Sequence, residues 1–281
     1  MNILFVYNVK AGKNVETSIV DTIKNYLPVD CVANFVEIQQ FDTCNTQSYH
    51  LIVAVGGDGT VNTVAKHCSL TNKTLGIIPR GSGDGLARFL GIPRDIETAV
   101  NTLIDGQKMS IDTGLVSNVF FVNVAGAGFE AKVAHRFGKK GIRGLRGYAK
   151  TILTLFNREQ EKEVILTLNK KKTTLPFFSL TIANGKQWGN NFEIASHADI
   201  QDGLFEVAVM RKPKWYQIIP LMLYLKNNSQ LNNRLFTYHR ASKISVKRSG
   251  KKWHIDGEPI ILKNKKKIVI QSKSLVVMVK K

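Results

Sequence analysis

Short apolar runs alternate with amphipathic stretches through the first part of the chain. Residues 2–7 (NILFVY) and 51–55 (LIVAV) are apolar almost throughout, the pattern of strands covered on both faces. Residues 74–78 (TLGII) form a third such run, ended by Pro79. Between them, residues 16–27, 61–67 and 96–104 place apolar side chains at helical spacing, and residues 82–90 read as a shorter helix. Strand, turn and helix repeated with short links predict a doubly wound parallel α/β domain over residues 1–110. Past residue 110 the rhythm becomes one of strands. Residues 113–124 read as two strands around a Ser117-Asn118 turn, and residues 163–169 and 173–183 as a hairpin across the intervening lysines. Residues 203–210, 243–247, 251–255, 267–271 and 275–279 continue the series, with helices near 145–157 and 213–226. Residues 111–281 are therefore expected to form a mainly antiparallel β-sandwich domain, and the C-terminal tail could rejoin the first domain.

Composition adds a division of charge. The chain is 43% hydrophobic and 22% charged, enough apolar surface for a sizeable core and too much for wholesale disorder. Its formal net charge is +19, with 9 basic and 10 acidic residues before position 111 and 31 basic and 11 acidic after it. Such a split points to a polyanion near the second domain. Cys31, Cys44 and Cys68 lack CxxC spacing and read as reduced thiols of a cytosolic protein. The first apolar run follows no basic residue and is too short for a signal peptide. Residues 216–225 fall far short of the roughly 20 that a spanning helix needs. The expectation is a cytoplasmic protein associated peripherally with membrane.

The chemistry concentrates at strand ends. Gly56-Gly57-Asp58-Gly59-Thr60-Val61-Asn62 follows the LIVAV strand and precedes a helix. Glycines let backbone amides approach phosphate oxygens, and a helix N-terminus favours negative charge. Asp58 would repel bare phosphate, so its presence argues for Mg2+ between them. Neither a Walker A loop nor GxGxxG in the first turn occurs. Asp256-Gly257-Glu258-Pro259 follows a predicted strand; taken alone, Asp-Gly is also a favoured hairpin turn. The six histidines show no HxxxH or HExxH spacing, and His254 beside Asp256 is the one of interest.

The GGDGTxN string resembles the nucleotide-binding signature of the diacylglycerol kinase, sphingosine kinase and NAD kinase superfamily. Pro79-Arg80-Gly81-Ser82-Gly83-Asp84-Gly85-Leu86-Ala87-Arg88 resembles the second lipid-kinase motif, and Gly126-Ala127-Gly128-Phe129-Glu130-Ala131 resembles GxGFDA. Asp202-Gly203-Leu204 and Asp256-Gly257-Glu258 follow in the family's order, so the resemblance spans nearly the whole chain and is strongest to bacterial soluble diacylglycerol-kinase-like lipid kinases. The resemblance implies ATP and Mg2+ as cofactors. It puts ATP phosphates on Gly56, Gly57, Asp58, Gly59, Thr60, Val61 and Asn62, with support from Gly81 and Ser82. Asn8, Val9, Lys10, Ala11 and Gly12 resemble the family's NPxSG or NPxAG loop, with Val9 where proline is usual. Asp84 stands where asparagine is usual and would need metal or Arg88 to neutralise it.

By the same resemblance Glu258 accepts the proton of the lipid hydroxyl, while Asp256, Asp58 and Asp112 hold Mg2+; the roles of Asp256 and Glu258 are exchangeable at this level. A structural Mg2+ is implied at Asp202 with backbone oxygens of Asp199 and Leu204. Diacylglycerol is the default acceptor, giving phosphatidic acid. A long-chain base is the alternative, for which Glu130 offers a carboxylate. A non-catalytic nucleotide- and membrane-binding protein is the alternative of another class.

Two segments hold much of the positive charge. Residues 131–158 carry eight basic and no acidic side chains, and residues 241–281 carry 12 basic and 2 acidic. Lys214-Trp215-Tyr216 opens an apolar stretch closed by Lys226, which suits a membrane interface and equally an ordinary core helix. An anionic membrane surface is the expected partner. Nucleic acid is not, since no RNP-like, helix-turn-helix or zinc-finger pattern occurs. A homodimer is compatible with these patterns.

Overall fold

The computed structural model describes residues 1–9, 18–140, 145–189, 192–227, 235–263 and 265–281. Contacts divide the chain into two units, Met1–Asp112 with Ser272–Lys281, and Thr113–Gln271.

In the first unit, β1 (Asn2–Tyr7), β2 (Val32–Glu37), β3 (Leu51–Gly56) and β4 (Thr74–Pro79) form a parallel sheet ordered β2-β1-β3-β4. Val276 and Val277 of the last strand extend it beside Thr74 and Leu75. Four helices join the strands: α1 (Ser18–Tyr26), α2 (Asp58–Thr71), α3 (Gly85–Phe89) and α4 (Ile96–Asp105). Every residue of β3 and β4 is buried. Ile3, Phe5, Val53 and Val55 pack with Ile19 and Ile23 of α1 and Val100 and Leu103 of α4. Their neighbours Leu4, Val6, Ile52 and Ala54 are equally buried and point to the other face, because successive strand side chains alternate. That face is covered by α2, which packs on β1, β3 and β4. The Asp95 carboxylate starts α4 by accepting the Thr98 amide at 2.9 Å.

Strand β5 (Gln107–Val116) runs from the first unit into the second. There β6 (Val119–Phe121), β7 (Val124–Gly128), α5 (Phe129–Lys140) and α6 (Leu145–Arg158) follow. Next come β8 (Lys162–Leu168), β9 (Lys171–Phe177), β10 (Ser179–Ala183), β11 (Gln187–Gly189), β12 (Phe192–Glu193) and β13 (Phe205–Met210). The chain ends with α7 (Ile218–Asn227), β14 (Phe236–Ala241), β15 (Lys243–Lys247), β16 (Lys252–Ile255), β17 (Glu258–Ile261) and β18 (Lys266–Val279). One antiparallel sheet runs β14-β13-β10-β7-β16-β17, and β8 and β9 pair antiparallel beside β15 and the first half of β18. Phe205, Val207 and Trp253 of the former pack with Val164, Leu166, Ile244, Val246 and Ile268 of the latter as one sandwich core. Phe156 of α6 and Leu221 and Leu225 of α7 pack with Ala183, Ala208 and Met210 on the outer side of the six-stranded sheet. The expected α/β and β-sandwich classes both hold.

Several elements depart from the hydrophobic pattern. Strand β2 is a half-exposed edge strand containing Asn34, so it carries no apolar run. The stretch 173–183 divides at Phe178: β9 pairs with β8 and β10 with β7 and β13, so the chain passes between sheets. Residues 267–271 and 275–279 belong to one strand, interrupted only by the left-handed Lys273 (φ 50°). The 213–226 helix starts as a 3-10 turn, Trp215–Gln217, before α7. Helix α5 is not among the expected elements, although Phe129, Val133 and Phe137 recur at helical spacing along it.

Candidate active site

Three loops leave the same edge of the parallel sheet. Tyr7 pairs with Val55 and Gly56 with Pro79, so Asn8, Gly57 and Arg80 follow neighbouring strand ends. With β2 on one side of β1 and β3 on the other, the connections diverge between β1 and β3. Ligands of open parallel sheets bind outside such a divergence.

The Gly56 and Gly81 loops touch through bare backbone. A Cβ on Gly57 would lie 3.0 Å from the Gly81 Cα, and one on Gly81 would lie 2.6 Å from the Gly57 Cα. The Arg80 amide donates to the Gly56 carbonyl at 2.9 Å, fixing the two loops side by side. A Cβ on Gly56 would lie 2.5 Å from Thr60 Oγ1, so the buried Thr60 side chain closes over Gly56. Val61 is buried in the sheet-facing side of α2, while Gly57, Asp58, Gly59 and Asn62 are half-buried and Ser82 is exposed. Gly57, extended at the N-cap of α2, supplies no capping side chain. A helix N-terminus entered this way is suited to an anion.

Asp58 is held by the neighbouring loop. Its Oδ1 accepts the Gly85 amide at 2.8 Å and its Oδ2 the Asp84 amide at 3.1 Å, so it caps α3. A Cβ on Gly83 would meet the same carboxylate at 2.7 Å. Asp84, left-handed at φ 50°, is buried and accepts the Gly81 amide at 2.8 Å. Burial raises its carboxyl above the ordinary aspartate range, against the opposing pull of the Gly81 amide and of Arg94, Arg88 and Arg80. Arg94 Nε lies 3.3 Å from its Oδ2 and the same guanidinium donates to the Gly81 carbonyl. Arg94 joins Arg88, the partner suggested by the sequence, in offsetting the Asp84 charge; Arg88 Nε also donates to the Gly83 carbonyl. No motif marks Arg94; helix α3 and the short turn after it bring it back to Asp84. Asn8 and Val9 are half-buried beyond β1. Lys10, Ala11 and Gly12 lie outside the described residues.

In the second unit Asp256 and Gly257 form the two-residue turn of the β16–β17 hairpin, both with positive φ (47° and 87°). The Asp256 carboxylate is buried and accepts the amides of Val122, Asn123 and Val124, each at 2.9 Å. It anchors the hairpin to the segment ahead of β7. Glu258, two residues on, is exposed, and no hydrogen bond or ion pair to its carboxylate is found among the described residues. Behind the turn, His254 Nδ1 accepts the Gly257 amide at 3.4 Å, which leaves Nε2 3.5 Å from Glu130 Oε1. Thr181 Oγ1 donates to the same carboxylate at 2.9 Å. Burial raises the Glu130 carboxyl above the ordinary glutamate range, with His254, Thr181 and Ser179 opposing. A Cβ on Gly126 would lie 1.8 Å from Glu130 Oε1, so that glycine makes room for the pair. Thr181 escaped sequence reasoning because only strand pairing brings it to Glu130.

The remaining expected carboxylates are Asp112, Asp199 and Asp202. Asp112 is fully buried and its Oδ1 accepts the Lys273 amide at 2.7 Å within the first unit. Asp202 Oδ1 accepts the Leu204 amide at 2.8 Å, and Oδ2 pairs with the Arg240 guanidinium. Asp199 Oδ1 accepts the Gln201 amide at 3.0 Å. At the implied Asp199, Asp202 and Leu204 cation position, the Asp202 carboxylate is thus shared with the Arg240 guanidinium. No group of three or more His, Cys, Asp or Glu side chains able to hold a metal occurs among the described residues.

Comparison with known proteins places these features in context. Residues 2–116 match the model of the diacylglycerol kinase catalytic domain. Residues 123–271 match that of the YegS C-terminal NAD kinase beta sandwich-like domain. The chain is 30% identical over 220 residues to a diacylglycerol kinase of Bacillus subtilis (strain 168), covering 75% of this chain and 72% of that protein. It is 29% identical over 217 residues to a protein of Pseudomonas aeruginosa PAO1 named "Probable lipid kinase YegS-like", covering 75% and 71%. The crystal structure of a diacylglycerol kinase from Bacillus anthracis str. Sterne superposes with a TM-score of 0.75 at 17% identity, over 99% of this chain and 96% of that one. At that identity the likeness speaks to the fold.

Proposed function

This chain belongs to the diacylglycerol kinase catalytic-domain family and is a lipid kinase; from that premise we propose that it transfers the γ-phosphate of ATP to the hydroxyl of diacylglycerol, with Mg2+, giving phosphatidic acid. The observation that carries the nucleotide half is the backbone contact of Gly57 and Gly81 at the diverging sheet edge. A side chain on either residue would push the two loops apart, and the amides at the start of α2 suit a chain of phosphates. Bound there, ATP would supply the phosphoryl group while Mg2+ screens its charge.

The chain's own residues do the rest. The Gly56–Asn62 and Gly81–Ser82 backbones bind and orient the phosphates. Asp58, held by the Asp84 and Gly85 amides, would supply a carboxylate to a hydrated Mg2+, an ion that keeps several waters and takes one or two carboxylates. Glu258 takes the proton of the lipid hydroxyl, because its carboxylate has no partner among the described residues while that of Asp256 accepts three amides. His254 and Glu130 brace the turn that carries Glu258. A long-chain base is less well served: Glu130, the carboxylate available for its amine, is buried against His254 and Thr181.

Purified protein with γ-labelled ATP and a lipid panel tests this reading. Label in phosphatidic acid is expected. Label in a long-chain base, or in NAD with no lipid product, would replace the acceptor, and nucleotide binding without transfer would favour a non-catalytic protein.

A further inference from the structure

Helix α7 and the 3-10 turn before it are apolar on all sides, yet only one side is covered. Leu221 and Leu225 are buried, and Ile218 and Tyr224 pack into the same cluster. On the other side Trp215 is 80% exposed, Tyr216 55%, Ile219 72%, Met222 51% and Leu223 53%. Positions 215, 219, 222 and 223 fall on one helical face, which continues to the exposed Lys226. Exposed Lys214 opens the segment, its Nζ 5.8 Å from the Tyr216 ring centre. Contiguous large apolar side chains on a soluble surface mark an interaction site.

Charge selects the partner. From Glu206 to Asp256 the intervening chain has no acidic residue and 11 lysines and arginines, of which Arg211, Arg240 and Arg248 pair with carboxylates elsewhere, while Lys214 and Lys226 flank the apolar face. A second copy would bring the same positive charge against this face. An anionic bilayer offers opposite charge, hydrocarbon for Ile219, Met222 and Leu223, and an interface in which Trp and Tyr are favoured. No helix among the described residues is long and apolar enough to cross a membrane. At ten residues α7 is about 15 Å long and suits lying in the interface plane.

We propose that the outward face formed by Trp215, Tyr216, Ile219, Met222 and Leu223, bracketed by Lys214 and Lys226, docks this protein on anionic bilayers. This deepens the lipid-kinase reading, since it names the surface through which the enzyme reaches a bilayer-resident acceptor. The face lies opposite the buried Leu221 and Leu225, so polar substitutions there leave the core intact.

The test uses the full chain, sedimented with vesicles of phosphatidylcholine alone or mixed with phosphatidylglycerol. Wild type should bind the anionic vesicles, less so as salt rises. The triple variant Ile219→Gln, Met222→Gln, Leu223→Gln should lose at least about tenfold in vesicle affinity with an unchanged Tm. Lys214→Gln with Lys226→Gln should lower the preference for anionic vesicles. With the triple variant, turnover of a short-chain, water-soluble diacylglycerol should stay at the wild-type level while turnover of long-chain diacylglycerol in vesicles falls. Unchanged vesicle binding by the triple variant would overturn the docking surface. So would a wild-type dimer, seen by light scattering, that the triple substitution dissociates. A protein that phosphorylates no lipid, yet loses vesicle binding in the triple variant, would retain the surface and lose the acceptor reading.

Discussion

Asp84 carries a carboxylate into a loop where its charge is costly. Burial raises its pKa above the unfolded value, so the folded state holds the proton more tightly than the unfolded chain does. Its ionisation therefore opposes folding, and the loss grows as pH rises from about 4 through the folded pKa. Asparagine would keep an acceptor for the Gly81 amide and remove the titration. The Tm of Asp84→Asn minus that of wild type should become more positive from acid to neutral pH; a constant difference, or one of opposite trend, would show that Arg94 fully offsets the burial. At this scale the sequence was informative where chemistry is written in consecutive residues, as in Gly56 to Asn62. It was silent on Arg94 and Thr181, whose roles follow from contacts across 10 and 51 residues.

Among the elements, the β16–β17 hairpin shows how two neighbouring carboxylates acquire different tasks. Asp256 holds the hairpin by accepting three buried amides, whereas Glu258 is exposed at the start of β17. Asp256→Ala strands those amides and should cost roughly 2 kcal/mol or more in urea unfolding. Glu258→Gln should leave stability unchanged within about 0.5 kcal/mol. Equal effects would remove the distinction. The Asp-Gly pair made the turn legible in advance, and the all-apolar runs marked β1, β3 and β4. Edge strand β2 was hidden because one side faces solvent and needs no apolar residue. The split at Phe178 was hidden because a strand changing sheets keeps the same alternation. Outward-facing Ile219 and Leu223 left α7 ambiguous between core and surface, which only burial resolves.

Across the whole molecule, charge and chemistry divide along the chain. Residues 1–110 hold 9 basic and 10 acidic side chains, and residues 111–281 hold 31 and 11. The near-neutral part contains the glycine cradle, where binding relies on backbone amides. The basic part contains α7 and the turn bearing Glu258. The central claim is that Glu258 takes the proton of the lipid hydroxyl, and turnover by Glu258→Gln tests it most directly. The variant should bind ATP as wild type does and keep its Tm while phosphatidic acid formation falls by at least about a hundredfold. Phosphatidic acid formed at a near wild-type rate would contradict the assignment.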